Sequence, residues 1–325
     1  MQNAPILDPK LLSRLATLQL RARRVVEGVM TGLHRSPLQG QAVEFAEHKE
    51  YAPGDDTKHI DWRTYARVDK YYVKKYELET NLRAFIILDA SASMGYGRPG
   101  VTKLDYGRTL AAALAFLLNR QQDQAGLVIA GAPDAADVAA RSVLPAVDEP
   151  APDAKLPSAV RRFIPPRASQ THLNGLLQVL EGTFAHGSTD LSGAIDFVAE
   201  KAQRRAAVFV LSDLFDPAPK ALQSLAKLRR RRCEVAVFHL LDRDELDFPF
   251  DDPTEFLSME GPERIEANPR SIREGYLEEM QTFLTQTRRT LRDNDVEYAL
   301  TPTDTPPDRV LLTFLAARAA AARGR

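Results

Sequence analysis

The chain has 325 residues, of which 44% are hydrophobic and 27% are charged, and its formal net charge at pH 7 is -1. This length and composition are typical of a globular protein with one large domain or two modest ones. The near-zero net charge gives no overall argument for binding to nucleic acid or to an anionic membrane.

The cysteine count and the hydropathy pattern indicate the compartment. Cys233 is the single cysteine, which excludes an internal disulfide and fits a reducing environment. The N-terminal sequence MQNAPILDPKLL lacks the basic start and apolar stretch of a secretory signal. The longest apolar run, at 110–118, is too short to span a bilayer. We therefore expect a cytoplasmic protein.

Residues 1–80 are predicted to form a small mixed α+β element that is distinct from the rest of the chain. Leucine and valine recur at helical spacing over 9–30, and Gly28 and Gly32 predict the end of this helix. Three further elements are predicted after it: a strand at 41–51, a turn at 53–56 followed by a short helix, and a strand at 71–79.

From residue 82 onward, strands alternate with helices. RAFIILD at 83–89 is almost continuously apolar, as expected for a parallel strand that helices cover on both faces. Thr102 and Asp105 predict a capping box at the start of the next helix. Further elements are predicted in this order: strand 124–131, edge strand 161–166 ended by two prolines, helices 171–182 and 191–205, strand 206–213, helix 219–232 and strand 233–242.

This alternation predicts the fold class and the domain organisation. Residues 81–250 are expected to form an α/β, Rossmann-like domain with a mostly parallel central sheet and helices on both faces. Residues 132–158, rich in Ala, Pro and Asp, read as an exposed insertion. Residues 251–325 are expected to pack on the domain as a long helix, a strand and a final helix.

Polar residues are predicted to converge where these strands end. Asp89, Ser91 and Ser93 follow the first apolar strand in the sequence DASASM, and Asp213 ends another. Thr189 precedes a helix in the loop GSTDLSG. In open α/β sheets, ligands bind outside the carboxyl ends of the strands. Carboxylate and hydroxyl oxygens are hard ligands that suit Mg²⁺ best, with Mn²⁺ or Ca²⁺ as alternatives.

These residues resemble the metal-ion-dependent adhesion site of the von Willebrand factor type A superfamily. That site combines a D-x-S-x-S loop, a threonine after the third helix and an aspartate at the end of the fourth strand. The resemblance implies that Ser91, Ser93 and Thr189 are direct or switching ligands. It also implies that Asp89 and Asp213 act largely through water.

A second resemblance covers the front of the chain. The sequence from Gly32 to Asn81, which contains EYAPGDDTKHIDWRTYARVDKYYVKKYELETN, is similar to the bacterial domain-of-unknown-function family 58. Members of that family place this element before a type A domain and accompany MoxR-type AAA+ ATPases. The resemblance implies a role in chaperone-like maturation of a client complex.

Other interpretations of these motifs are less favoured. DASASM alone could be a polar turn, in which Asp and Ser bond to nearby backbone. A serine nucleophile is disfavoured, because it would need a histidine base and a G-x-S-x-G elbow, which this loop lacks. GYGRPG at 95–100 satisfies G-x-G-x-x-G, but DASASM separates it from the strand, so a flexible loop is favoured over a nucleotide site. The Arg229–Arg232 run is read as a solvated helix end.

The N-terminal element offers two further candidates. His48 and His59, with Glu47 and Glu50, lack the helical spacing of zinc ligands, so structural roles are favoured. Asp55, Asp56 and Asp61 either cap and pair locally or form a docking surface with Trp62.

The sequence thus predicts a non-enzymatic, metal-dependent protein-interaction module. A MoxR-type AAA+ ATPase or its client is the expected partner, and it would offer an acidic residue to the metal. The alternatives are a metal-dependent phosphohydrolase and a structural protein whose metal site never fills.

Overall fold

The computed structural model describes residues 9–35, 48–50, 72–74, 82–98, 101–133, 156–215 and 218–323. The chain divides into two compact units, one of Met1–Gly32 with Leu82–Arg325 and one of Leu33–Asn81. The domain boundaries expected after residues 80 and 250 stay predictions.

In the smaller unit, the described residues form a short antiparallel pair, β1 (His48–Glu50) and β2 (Tyr72–Lys74). The pair lies within the two strands predicted at 41–51 and 71–79. The predicted turn at 53–56 and the short helix after it lie outside the described residues.

The first helix, α1 (Pro9–Arg35), runs five residues beyond the predicted range of 9–30 and ends three residues after Gly32. A Cβ on Gly28 would lie 2.8 Å from Asp308 Oδ2, and one on Gly32 would lie 2.6 Å from Leu312 Cδ2. Both partners belong to the C-terminal helix. These glycines therefore permit two helices to approach closely, and they do not end α1.

The larger unit is built on a six-stranded sheet. Its remaining elements are, in chain order, β3 (Arg83–Asp89), a 3₁₀ helix (Ala92–Gly95), β4 (Gly97–Arg98), β5 (Val101–Thr102), α2 (Lys103–Arg120), β6 (Gln124–Ala130), β7 (Val160–Arg167), α3 (Gln170–Glu181), α4 (Leu191–Lys201), β8 (Ala207–Ser212), α5 (Ala218–Arg230), β9 (Glu234–Leu241), α6 (Arg243–Asp247), β10 (Thr254–Leu257), β11 (Arg264–Ala267), α7 (Pro269–Asp293), β12 (Glu297–Pro302) and α8 (Pro307–Arg323). The sheet order is β12-β9-β8-β3-β6-β7, with all neighbours parallel except β6 and β7.

Helices cover both faces of this sheet, as predicted. On one face, Val210 of β8 shares a buried apolar cluster with Ile195 of α4 and Leu225 of α5. On the other face, the ring of Phe314 in α8 lies 5.0 Å from the ring of Phe238 in β9. Coverage on both sides explains why β3 and β8 are apolar almost throughout.

The edge strand β7 was predicted correctly as a strand, but the prediction that prolines end it is wrong. It runs through Pro165 and Pro166 to Arg167. Its register with β6 shifts between Ala125 and Leu127, and a Cβ on Gly126 would lie 2.9 Å from Pro166. The irregular register and the small Gly126 accommodate two residues that cannot donate ladder hydrogen bonds.

The segment between β3 and α2 contains a short β-hairpin, formed by β4 and β5. GYGRPG contributes to a hairpin in which Gly97 pairs with Thr102, and Gly97 has a φ of 128°. The predicted capping box is present, because Thr102 Oγ1 accepts from the backbone N–H of Asp105 at 3.1 Å. The hairpin therefore places the start of α2 directly beside the DASASM loop.

A second hairpin, β10–β11, was not predicted. Phe248, Phe250 and Phe256 form a ring cluster with Tyr276 of α7, in which the Phe248 and Tyr276 centroids lie 4.4 Å apart. This cluster fixes the hairpin to α7.

No bilayer span can be assigned within the described part of the chain, since no helix there joins the needed length with the needed apolarity.

Candidate metal centre

The predicted site residues lie at the carboxyl edge of the sheet. Asp89 ends β3, and Asp213 directly follows β8, the strand paired with it in parallel. Ser91 and Ser93 follow Asp89, with Ser93 inside the 3₁₀ helix, and Thr189 precedes α4. Because adjacent parallel strands end at the same edge, the two aspartates are brought to one place, as predicted.

Asp89 is fixed by hydrogen bonds to both carboxylate oxygens. The backbone N–H of Ser91 donates to Oδ1 at 3.0 Å, and Ser212 Oγ donates to Oδ2 at 2.7 Å. Burial, followed by the charge of Asp213, raises the pKa of Asp89 to about 6. The buried negative charge of Asp213 therefore makes the ionised form of Asp89 less favourable.

The Thr189 loop is joined to the DASASM loop through backbone hydrogen bonds. The N–H of Ala92 donates to the carbonyl of Gly187 at 2.8 Å, and the N–H of His186 donates to the carbonyl of Ala90 at 3.1 Å. These bonds bring Thr189 to the same edge as the two serines.

Arg161 of β7 binds the loop that leads to Thr189. Its fully buried guanidinium donates to the carbonyls of Phe184 and His186. A Cβ on Gly131, whose φ is 130°, would lie 2.6 Å from Arg161 Nε, so glycine leaves the room that this side chain needs. The buried cation is a positioning feature that the sequence did not reveal.

The three hydroxyl oxygens have lone pairs that could bind a cation. Ser91 Oγ and Ser93 Oγ lie 3.0 Å apart. Thr189 Oγ1 is buried and has no hydrogen-bond partner among the described residues. A buried hydroxyl without a partner is unfavourable, and a cation bound there would satisfy it. Hydroxyl and carboxylate oxygens fit a hard divalent cation such as Mg²⁺.

Asp190, which lies beside Thr189, does not join this group. Its Oδ1 accepts from the backbone N–H of Gly193 at 2.9 Å and from Ser192 Oγ at 2.7 Å. It is therefore the N-cap of α4.

A buried lysine lies against Asp213, and sequence reasoning missed it. Lys103 Nζ donates to Asp213 Oδ2 at 2.8 Å and to Glu245 Oε1 at 2.6 Å, and only 1% of its side chain is exposed. Burial would lower the pKa of Lys103, but the charges of both carboxylates outweigh it and the pKa is raised. A cation in the first turn of a helix opposes the helix dipole, and this was the available signal that Lys103 has acidic partners.

His239 of β9 contacts the backbone of Asp213. Its Nε2 lies 2.9 Å from the Asp213 carbonyl oxygen, and its Nδ1 lies 2.9 Å from the hydroxyl of Tyr298. Burial lowers the pKa of His239 to about 4, so the ring is neutral at pH 7. The neutral ring donates to the carbonyl from Nε2 and accepts from Tyr298 at Nδ1.

The remaining sequence candidates are the histidines and acidic residues of the N-terminal element and the arginine run that begins at Arg229. No cluster of three or more His, Cys, Asp or Glu side chains able to hold a metal occurs among the described residues. His48 and Glu50 lie on β1, whereas Glu47, His59 and the PGDDTKHIDW segment lie outside those residues. Arg229 donates to the carbonyl of Cys233 and Arg231 to that of Ala199, contacts that fit the helix-end interpretation.

Comparison with known sequences decides the family. The family described as "Protein of unknown function DUF58" matches residues 47–148 and 153–284, well over half of the chain. The chain belongs to this family. Uncharacterized protein Rv1480 of Mycobacterium tuberculosis and Uncharacterized protein Mb1516 of Mycobacterium bovis are each 26% identical to this DUF58 protein over 255 residues. Each alignment covers 77% of this chain and 71% of the relative.

Several solved structures resemble the DUF58 protein at low sequence identity. BatB from Bacteroides thetaiotaomicron is 12% identical, with a TM-score of 0.42 over 74% of this chain and 99% of BatB. An aerotolerance-related membrane protein from Bacteroides fragilis is 14% identical, with a TM-score of 0.41 over 72% of this chain and 99% of that one. The SpRpn10 VWA domain is 9% identical, with a TM-score of 0.35 over 71% and 94% of the two chains.

The DUF58 protein has the predicted Rossmann-like von Willebrand factor type A fold. Its strand order, its parallel pairs and the helices on both faces of its sheet carry that statement.

Proposed function

We propose that this DUF58 protein is a non-enzymatic, metal-dependent protein-interaction module. The observation that carries the proposal is the buried hydroxyl of Thr189, which has no hydrogen-bond partner in the described part of the chain and lies at the edge where β3 and β8 end. Ser91, Ser93 and Thr189 would hold Mg²⁺, and the two aspartates would orient its water ligands. When bound, Mg²⁺ supplies a positive centre that attracts a carboxylate oxygen from a partner.

The surroundings of the centre support a protein as the partner. Exposed large apolar side chains lie on loops next to the site residues: Phe215 follows Asp213 by two positions, and Phe184 precedes Thr189 by five. Met259 of the β10–β11 turn is also exposed, and its Cε would lie 3.5 Å from a Cβ on Gly95. Apolar groups beside a charged centre are typical of a surface that docks another protein.

A MoxR-type AAA+ ATPase or its client is the proposed partner, in chaperone-like maturation of a client complex. The proposal rests on the likeness of the N-terminal element to the family pattern. In it, the partner supplies one Asp or Glu side chain to the metal centre.

The direct test of the site is titration calorimetry with Mg²⁺ and with Mn²⁺. Wild type is expected to bind one ion, and Asp89→Ala is expected to lose binding. Asp196→Asn, which changes an exposed carboxylate on α4, is the matched control and should bind as wild type does. Equal binding by wild type and Asp89→Ala would refute the site.

The partner is tested separately, with the purified MoxR-type ATPase from the same organism. Wild type should retain the ATPase in Mg²⁺ and release it in EDTA, while the Ser91→Ala/Ser93→Ala variant should not retain it. Retention that is indifferent to EDTA and to the double substitution would place the contact elsewhere and contradict the metal-dependent mode.

A further inference from the structure

An ion network joins Lys103 to Asp213 and Glu245 beside the candidate metal centre. All three groups lie at the carboxyl edge of the sheet, and the Lys103 and Asp213 side chains are each only 1% exposed. A buried ammonium is strongly unfavourable unless ion pairs and hydrogen bonds compensate it. The two short contacts, at 2.8 Å and 2.6 Å, supply that compensation.

Both oxygens of Asp213 are already occupied by donors of the chain itself. Lys103 Nζ donates to Oδ2 at 2.8 Å, and the backbone N–H of Phe215 donates to Oδ1 at 3.2 Å. The carboxylate is therefore held in one orientation. The hydroxyl of Thr189, in contrast, has no partner among the described residues and is the group with free capacity for an ion.

Glu245 fixes the other side of the ammonium. Its Oε1 accepts from Lys103 at 2.6 Å, and its Oε2 accepts from the backbone N–H of Asp242 at 2.7 Å in the capping box of α6. The hydroxyl of Tyr276 in α7 donates to the carbonyl of Glu245 at 3.0 Å. The position of Lys103 is thus set by two carboxylates, that of Asp213 directly after β8 and that of Glu245 in α6.

The network also contributes to the charge near the candidate centre. Asp89, Asp213 and Glu245 bring three negative charges, and Lys103 brings one positive charge. The sum of -2 balances a divalent cation. Without Lys103 the sum is -3, and without the charge of Glu245 it is -1.

We propose that Lys103 is a positioning residue that holds Asp213 away from direct coordination and lowers the affinity of the site for divalent cations. This inference rests on the proposed function and adds a residue that the adhesion-site pattern does not contain. By neutralising part of the charge of Asp213, Lys103 leaves more of the positive charge of the ion available to the carboxylate of a partner.

Two substitutions separate this role from a merely structural one, because they change cation affinity in opposite directions. Lys103→Met removes the ammonium and should tighten Mg²⁺ binding by about tenfold or more. Glu245→Gln leaves the ammonium with a single carboxylate and should weaken binding by about tenfold. The double variant Lys103→Met/Glu245→Gln restores the charge sum of -2 and should bind within about threefold of wild type.

The measurement is calorimetric titration with Mg²⁺ and Mn²⁺ at pH 7.5, together with thermal unfolding with and without the ion. Lys227→Met, an exposed lysine at the far end of α5, is the matched control for the loss of one positive charge. Lys103→Met should have a lower Tm than wild type without an ion and a larger rise in Tm on addition of Mg²⁺.

The outcomes that overturn the inference differ from those that overturn the proposed function. Wild-type binding with equal or weaker binding by Lys103→Met refutes the role of Lys103 alone. Equal or tighter binding by Glu245→Gln does the same, and this second variant decides the question if Lys103→Met does not fold. Absence of cation binding by wild type refutes the proposed function and the inference together.

Discussion

Ser212 Oγ donates a hydrogen bond of 2.7 Å to Asp89 Oδ2, and thereby links the ends of two adjacent parallel strands beneath the candidate metal centre. The same hydroxyl accepts from the backbone N–H of Leu214 at 2.9 Å. The loop that carries Asp213 and the carboxylate of Asp89 are therefore held by one side chain. This arrangement ties the carboxylate of Asp89 to the loop that carries Asp213.

Asp89→Asn is expected to stabilise the protein without a cation. The pKa of Asp89 is raised from 3.8 to about 6, so between these values the folded state holds a proton that the unfolded state releases. The free energy of unfolding therefore falls as pH rises through this window, by about 3 kcal/mol in total. Urea unfolding in EDTA at pH 7.5 should show a gain of about 1–3 kcal/mol for the variant.

The same variant should lose the rise in Tm that Mg²⁺ gives to wild type. Asp196→Asn, at an exposed position, should change neither quantity. A loss of stability in Asp89→Asn would mean that its hydrogen bonds outweigh the repulsion from Asp213.

His239 is expected to contribute an opposite pH dependence. Its pKa is lowered from 6.5 to about 4, so the unfolded state binds the proton more readily between these values. The free energy of unfolding should fall as pH drops through this window, by up to about 3 kcal/mol. His239→Gln keeps a donor for the Asp213 carbonyl and removes the titrating ring.

Urea unfolding of His239→Gln at pH 4.5 and pH 7 should show a smaller difference than wild type does. His186→Gln, which changes a half-buried ring, is the control. An unchanged difference in His239→Gln would assign the acid sensitivity to other groups.

Two helix glycines should respond in opposite ways to the same substitution. A Cβ on Gly107 in α2 would lie 2.9 Å from Leu88 Cδ1 and 3.1 Å from Leu240 Cδ1, whereas one on Gly275 in α7 meets nothing within 4 Å. Gly107→Ala should lower the free energy of unfolding by about 1–3 kcal/mol through overpacking. Gly275→Ala should raise it by about 0.5–1 kcal/mol, because alanine restricts the unfolded chain.

The pair is read by thermal or urea unfolding under one condition, so that each variant serves as the control for the other. A gain of stability in both would show that the α2 interface yields easily. Such a result would remove close packing as the reason for glycine at position 107.

The sequence predicted the strand ends well because it carries their pattern directly. Apolar runs ending in Asp89 and Asp213 specify buried parallel strands, and the carboxyl ends of such strands meet at one edge. The fold class and the placement of these residues follow from the same pattern. The DASASM loop alone does not distinguish a turn from a ligand site, and the proposal of a ligand site rests on Thr189 and Asp213 at the same edge.

The features that were missed depend on pairs of residues far apart in the chain. Lys103 and Glu245 are separated by 142 positions, and no local pattern in the sequence pairs them. Gly32 lies against Leu312 inside the last turn of α1, so its role in packing could not be read from the sequence. Pro166 stays in a strand because Gly126 makes room for it on the neighbouring one.

Arg161→Met is expected to loosen the loop that carries Thr189. The guanidinium donates to the carbonyls of Phe184 and His186, and methionine replaces its volume without these donors. Losing a buried cation that donates to two loop carbonyls should lower the free energy of unfolding by about 2–4 kcal/mol and weaken Mg²⁺ binding. Arg162→Met, at the half-buried neighbouring position, should have a smaller effect on both. Full Mg²⁺ affinity in Arg161→Met would show that the backbone bonds to the DASASM loop suffice to place Thr189.

Thr189→Val is expected to change protein stability and Mg²⁺ affinity in opposite directions. Valine has nearly the same shape as threonine and removes a buried hydroxyl that has no partner among the described residues. Without a cation, the free energy of unfolding should therefore rise by about 1 kcal/mol, because an unsatisfied buried polar group is removed. Mg²⁺ affinity should fall, because one oxygen ligand is lost.

The matched control is Thr109→Val in α2, where the hydroxyl donates to the carbonyl of Asp105 at 2.9 Å, so stability should fall instead. Unfolding in EDTA and calorimetric titration measure the two effects, and a loss of stability in Thr189→Val with unchanged Mg²⁺ binding would remove Thr189 from the site.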